Sequence, residues 1–345
     1  MKVKPTSFNK VITIGNKKIR QRGPVFIIAE AGVAHFKDLK KAFQLVDLAV
    51  DAKASAVKFQ IFKTEKLISA ASGEWRRRLQ SKELPFSDFS KIKEYCHRRG
   101  IIFLATAHDE ESLAFADTLD VAAYKIGSGE VGNWPFIQKV ALRKKPILLS
   151  TGMYTLDDIS HALKVIVNMG NRNVVVLHCV TQYPVHPDEV NLRAMDTIRA
   201  KFGVLVGYSD HTQGFHFPLA AAARGACVIE KHITLDFNVP DAQDWKVSCG
   251  PDDFPLMVRQ IKEIKTGLGT GKKNPSKNEQ SSIQWARKSI VAKTDIKKGD
   301  FLTSDKLCCK RPGVGIIPSD IKKIIGKKAK HTIRKDTLIK WGQLV

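Results

Sequence analysis

Val206-Gly-Tyr-Ser-Asp-His-Thr212 and Val228-Ile-Glu-Lys-His-Ile-Thr234 are the stretches on which the reading of this chain turns. Their histidines, His211 and His232, each stand just past a short apolar run, Gly203–Val206 and Cys227–Ile229. A small helical stretch, Pro218–Gly225, separates the two runs. Strand, helix, strand is the unit of a parallel sheet, and the polar residues fall where each strand runs out. In such sheets ligands bind at the carboxyl ends of the strands. Two neutral imidazoles on neighbouring strand ends suit one divalent cation. The carboxylates beside them, Asp210 and Glu230, favour a site over two satisfied core histidines.

The same alternation extends outward. Apolar runs recur at Val25–Ala29, Ala56–Phe59, Ile101–Ala105, Val121–Ile126, Ile147–Leu149 and Val174–Leu177, before the two already quoted. Between them lie amphipathic stretches such as Leu39–Ala52, Phe89–Arg98, Glu111–Leu119, Trp134–Arg143, Leu156–Met169 and Leu192–Phe202, and Asp252–Leu268 closes the series. Eight strands, each followed by a helix, predict an α/β fold of the (β/α)8 TIM-barrel type. Residues 8–26 read as a hairpin turning at Gly15-Asn16 ahead of the first barrel strand. The expected organisation is a hairpin and barrel over 1–268, a polar linker over 269–285, and a small β-rich domain over 286–345. In that domain Ser289–Ala292 and Thr337–Trp341 read as strands, with turns at Lys298-Gly299-Asp300 and Arg311-Pro312-Gly313.

At 345 residues and 43% hydrophobic content the chain can fill such a core. No apolar run approaches the roughly 20 residues of a membrane span, and no signal h-region stands at the start, so a cytoplasmic protein off the membrane is expected. Six scattered cysteines fit a reducing compartment, and Cys308–Cys309 reads as a buried small-residue step. The net charge of +23 raises the question of nucleic acid. Residues 286–345 carry 16 Lys/Arg against 5 Asp/Glu, yet without aromatic interleaving or zinc-finger spacing. Solvated lysine faces are the simpler account, and no nucleic-acid partner is expected.

The strand ends carry Glu30, Lys58 and Gln60, Thr106, Lys125 with Ser128 and Glu130, Ser150, Tyr183, Ser209 with His211, and His232. Lys58 and Lys125 are the strongest of these, because apolar residues flank both. A lysine inside a strand must find an anion or suffer desolvation. With hydroxyls at 106, 128, 150 and 209, that anion is a phosphate or carboxylate; structural pairing with Glu30 or Glu130 is the competing account. Gly127-Ser-Gly-Glu-Val-Gly132 matches a dinucleotide fingerprint, but on the fourth strand and without the following acid. It reads as a phosphate-binding turn at a helix amino terminus.

Together these residues resemble the sialic acid synthase family, which makes nonulosonic acids from phosphoenolpyruvate and an N-acyl hexosamine such as N-acetylmannosamine. The resemblance is carried by Ile28-Ala-Glu-Ala-Gly-Val33, Ala56-Val-Lys-Phe-Gln60, Tyr124-Lys-Ile-Gly-Ser-Gly-Glu130, Leu149-Ser-Thr-Gly-Met153, Leu177-His-Cys179 with Tyr183-Pro184, and the two histidine motifs. Lys310-Arg-Pro-Gly-Val-Gly-Ile316 resembles the antifreeze-like (SAF) domain of these synthases. The resemblance implies catalytic roles for Glu30, Lys58, Lys125 and Glu130. It implies phosphoenolpyruvate binding by Lys58, Thr106, Lys125, Ser128, Ser150 and Ser209, with Glu30 alongside. Sugar binding falls to Gln60, Glu130, Tyr183, Asp244 (or, in a shifted register, Asp241) and Arg311, and Mn²⁺ or Mg²⁺ to His211 and His232. It also implies a homodimer in which the C-terminal domain, with Arg311, serves the partner's barrel. Departures stand at Val33-Ala-His-Phe-Lys37, Thr106-Ala-His108 and Asp241-Ala-Gln-Asp-Trp245, all assigned to the sugar side. They leave open another aldose, such as a legionaminate-type precursor or a sugar phosphate. A sugar phosphate needs a second basic cluster, which the strand ends lack.

Overall fold

The computed structural model describes residues 8–345 apart from 241 and 243. Strands β1 (Val11–Ile14) and β2 (Lys17–Arg20) form the expected antiparallel hairpin. Eight parallel strands follow: β3 (Phe26–Gly32), β4 (Ala56–Ile61), β5 (Ile102–Ala107), β6 (Tyr124–Ile126), β7 (Ile147–Ser150), β8 (Val174–His178), β9 (Leu205–Asp210) and β10 (Val228–His232). Each pairs with the next, and β10 pairs with β3, so the sheet closes into a barrel. The closed sheet has no edge, and its strands are buried on both faces, which is why their first residues read as continuous apolar runs.

Strand periodicity of two builds the interior in layers. One layer is apolar: Ile28, Ala56, Leu104, Ala123, Leu148, Leu177 and Val228 pack with Ile12, Ile14 and Ile19 of the hairpin. The hairpin thus plugs the amino-terminal end, each buried isoleucine contributing about 1.5–3 kcal/mol by burial. Gly207 belongs to this wall: a Cβ there would stand 2.6 Å from both Leu177 Cδ2 and the Val228 carbonyl. Two residues further along, the inward positions become polar. A second core fills the space between strands and helices, where Leu45, Ile92, Ile137, Leu163, Ile198 and Ile261 meet the outer strand faces.

The first compact unit spans residues 1–269 and the second 270–345. The second has its own core, including Ile290, Ile296, Leu302, Ile316, Ile333 and Ile339. Its β11 (Ser289–Ala292) pairs antiparallel with β12 (Leu307–Lys310). Three expectations are corrected here. Cys308 and Cys309 are half-buried strand residues rather than a buried step, and Thr337–Trp341 contributes one isolated bridge, Leu338 to Val291, rather than a strand. The stretch 269–285 is not all linker, because a helix occupies Glu279–Ala286. Among the described residues no helix is long and apolar enough to cross a membrane.

Candidate active site

The inward residues one rung above the apolar layer are Glu30, Lys58, Thr106, Lys125, Ser150, Cys179, Ser209 and Glu230, and every one of them is buried. They floor a cavity of about 360 Å³ at the carboxyl ends of the strands. Lys58 Nζ lies 2.6 Å from Glu30 Oε2 and 3.7 Å from Glu230 Oε2, and donates to Thr106 Oγ1 at 3.0 Å. Lys125 Nζ lies 3.3 Å from Glu230 Oε1, which also accepts from Ser209 Oγ at 2.9 Å. Gln60 holds Glu30 from above, its amide donating to Oε1 at 3.0 Å.

Burial works against the charge on Lys58, but Glu230 and Glu30 outweigh it and hold its pKa above the ordinary value. Burial would likewise raise the Glu230 carboxyl, yet Lys125 and Lys58 hold it well below the usual range. For Lys125 burial prevails, with Lys58 adding to it, and its pKa is lowered against the pull of Glu230. The floor is thus a compact array of two lysines interleaved with two carboxylates. Ser150 Oγ, buried and facing the same cavity, has no hydrogen-bond partner among the described residues. A buried hydroxyl left open in a polar pocket is a place for a ligand oxygen.

His232 is the next inward residue of β10 above Glu230, and His211 follows directly on β9. Their rings stand 5.4 Å apart. His211 Nδ1 donates to the Val180 carbonyl at 2.7 Å, which leaves the lone pair on Nε2, 2.9 Å from the Tyr183 hydroxyl. Burial and the neighbouring His232 push the His211 pKa down to about 3, so the ring is neutral. A carbonyl-oriented neutral imidazole is the form that ligates a metal. Asp244 Oδ2 lies 3.9 Å from His232 Nδ1. Among the described residues no group of three or more His, Cys, Asp or Glu gathers as a metal centre. The donor set thus fits a cation held by two imidazoles, with its remaining positions left to water and substrate.

All the barrel residues predicted for the site line this cavity. Arg311 belongs to the second unit, and Asp241 lies outside the described residues. Three readings need correction. Glu130 pairs with neither lysine: it accepts from Asn133 Nδ2 at 2.7 Å, and burial raises its pKa despite that bond. The turn at Ser128–Glu130 is a short 3₁₀ segment, with the following helix starting at Trp134 under an Asn133 cap, so no helix amino terminus meets the cavity there. Asp210, expected to support the site, points outward to Lys231.

Sequence reasoning named Glu230 only as a carboxylate beside His232 and His108 only as a departure on the sugar side, and it missed Cys179 and one helix face altogether. Glu230 stands two residues after Val228, as Lys58 stands two after Ala56, and the strand period alone identifies it. Cys179 follows Leu177 in the same way; burial pushes its thiol up to about 11, so it stays protonated. Trp75, Arg78, Leu79 and Lys82 come from the helix Gly73–Gln80 and its end, inserted after β4. Their spacing of i, i+3, i+4, i+7 is one helix face, and it brings two basic side chains to the cavity that no strand end supplies.

A buried anion-handling floor beneath a pair of ligand-competent histidines, at the carboxyl end of a barrel, defines an enzyme of the TIM-barrel class acting on an anionic substrate. The profile of the NeuB family matches residues 45–273, and that of the SAF domain residues 287–345. The chain belongs to the NeuB family, whose members are synthases of nonulosonic acids. It is 41% identical to the N,N'-diacetyllegionaminic acid synthase of Campylobacter jejuni, over 91% of this chain and 98% of that one. It is 32% identical to human N-acetylneuraminate-9-phosphate synthase, over 92% and 91% of the two chains. The solved N-acetylneuraminic acid synthetase of Leptospira borgpetersenii superposes with a TM-score of 0.74 at 34% identity, covering 80% of this chain and 96% of that one.

Proposed function

We propose that this chain condenses phosphoenolpyruvate with the open-chain form of a 2-acylamino aldose, giving a nonulosonic acid and inorganic phosphate. The observation that carries the reading is the floor of Lys58, Lys125 and the open Ser150 hydroxyl directly beneath His211 and His232 in one cavity. Lys58, Lys125, Thr106, Ser128, Ser150 and Ser209 hold the phosphate and carboxylate of phosphoenolpyruvate, and Gln60, Glu130, Tyr183 and Asp244 hold the aldose. His211 and His232 hold a divalent cation, Mn²⁺ or Mg²⁺, which when bound polarises the aldehyde oxygen as a Lewis acid.

The chain's own part is positioning and electrostatics. Held against the floor, phosphoenolpyruvate presents C3 to the aldehyde carbon, and a C–C bond forms as the aldehyde C=O π bond opens and its oxygen takes a proton to become a hydroxyl. Water adds at C2, with its proton passing to a base in the cavity. The bond between C2 and the bridging oxygen then breaks, phosphate leaves toward the lysines with that oxygen, and the new C2 hydroxyl gives up its proton as C2 becomes a ketone. N-acetylmannosamine is the simplest aldose of this class. A second reading, a diacetamido precursor of the legionaminate type, is supported by the relatives at 41% and 38% identity. The proposal includes a homodimer and a sugar contact by Arg311. Arg311 lies over the Trp285 ring at 5.4 Å, in a loop whose Gly313 amide donates to the Gln284 carbonyl at 2.7 Å.

The test is phosphate release from phosphoenolpyruvate with a panel of aldoses: N-acetylmannosamine, its 6-phosphate, and 2,4-diacetamido-2,4,6-trideoxymannose. Release should require one of them, stop with EDTA and return with Mn²⁺ or Mg²⁺. His211→Ala and His232→Ala should each cost at least ~10²-fold in rate. Full activity of either variant in EDTA would remove the metal from the account.

A further inference from the structure

Leu104, Thr106 and His108 share the inward face of one strand line, two residues apart. The ladder runs on past β5, since the His108 amide donates to the Ile61 carbonyl at 3.1 Å. His108 is therefore the rung above Thr106, as His232 is the rung above Glu230. Its ring meets Phe62 edge-on, with centroids 6.4 Å apart at 68°. Cε1, the carbon between the two ring nitrogens, faces the glycine turn, where a Cβ on Gly127 would stand 3.7 Å away. Among the described residues neither ring nitrogen has a hydrogen-bond partner, and the ring lines the same cavity as Lys58, Lys125 and Ser128.

We propose that His108 is a further phosphoenolpyruvate-binding residue, its ring N–H donating to the phosphate held above Lys58 and Lys125. The proposal rests on the phosphoenolpyruvate reading and moves the change at 108 from the sugar side to the anion side. Burial first, then Lys58 and Lys125, push the His108 pKa down to about 4 against the weaker pull of Asp109. The ring is thus neutral, and a neutral imidazole still offers one N–H. It adds a donor without a third cation beside two lysines. That suits a floor whose lysines are already paired with Glu30 and Glu230, so that an incoming phosphate needs donors the carboxylates leave open.

Direct binding of phosphoenolpyruvate and of inorganic phosphate to the full chain, with steady-state kinetics, tests this. His108→Phe should raise the phosphoenolpyruvate Kd and KM about 10- to 100-fold, the effect of one hydrogen bond to a charged group. The aldose KM should stay within about twofold. His108→Gln keeps a donor and should recover most of the loss, and His108→Leu serves if phenylalanine crowds Gly127 and the variant melts early. Wild-type phosphoenolpyruvate affinity in a folded donor-less variant overturns the assignment. So does a loss confined to the aldose KM, or a glutamine variant no better than phenylalanine. A wild-type chain that binds no phosphoenolpyruvate overturns the parent reading first.

Discussion

Lys58→Ala is expected to raise the phosphoenolpyruvate KM by at least ~10²-fold with every aldose alike. Its ammonium lies within 4 Å of both buried carboxylates, Glu30 and Glu230, and donates to Thr106. Removing it deletes a charge-assisted contact to the substrate and leaves two anions facing the single cation of Lys125. A buried pair broken on one side costs about 3–5 kcal/mol, each 1.4 kcal/mol being tenfold. The cavity floor also turns net negative, against a substrate that is itself anionic. Glu230→Gln in the same background should recover part of the loss by restoring charge balance. Steady-state kinetics with two unlike aldoses measures it, and a KM that rises for one aldose only would place Lys58 against the sugar instead.

Asp210→Ala is expected to lower stability by about 3–5 kcal/mol without altering the site's chemistry. Asp210 and Lys231 pair with no solvent exposure on either side chain. The carboxylate also accepts from the Tyr208 hydroxyl at 2.7 Å and from Thr212 Oγ1 at 3.0 Å, while Lys231 donates to the Thr212 carbonyl at 2.7 Å. Deleting the carboxylate leaves a buried ammonium with one carbonyl for company. Lys231→Met added to it should restore much of the loss, because the uncompensated charge goes with it. Urea unfolding of the single and double variants decides, and a double variant no more stable than the single would contradict the pair's structural role.

The barrel was legible because parallel strands buried on both faces leave apolar runs, eight of them, with amphipathic helical stretches between. Lys58 and Lys125 were legible for the opposite reason, as charges where the pattern allows none. Asp210 was misread because adjacency to His211 suggested a shared role, whereas neighbours in a strand point to opposite faces. By the same period His108, two residues after Thr106, faces inward. Trp75 through Lys82 went unseen because a helix with no buried residue carries no core stripe to find. The strand at Leu307–Lys310 carries two cysteines in place of β-branched residues, so its sequence gave little sign of pairing.

The central claim, condensation with cleavage of the C2–O bond, is tested most directly with phosphoenolpyruvate carrying ¹⁸O in the bridging position. With the accepted aldose present, the account predicts that the label leaves entirely with inorganic phosphate, while the new ketone oxygen comes from water. Label retained in the keto acid, or phosphate released at the same rate without any aldose, would contradict it.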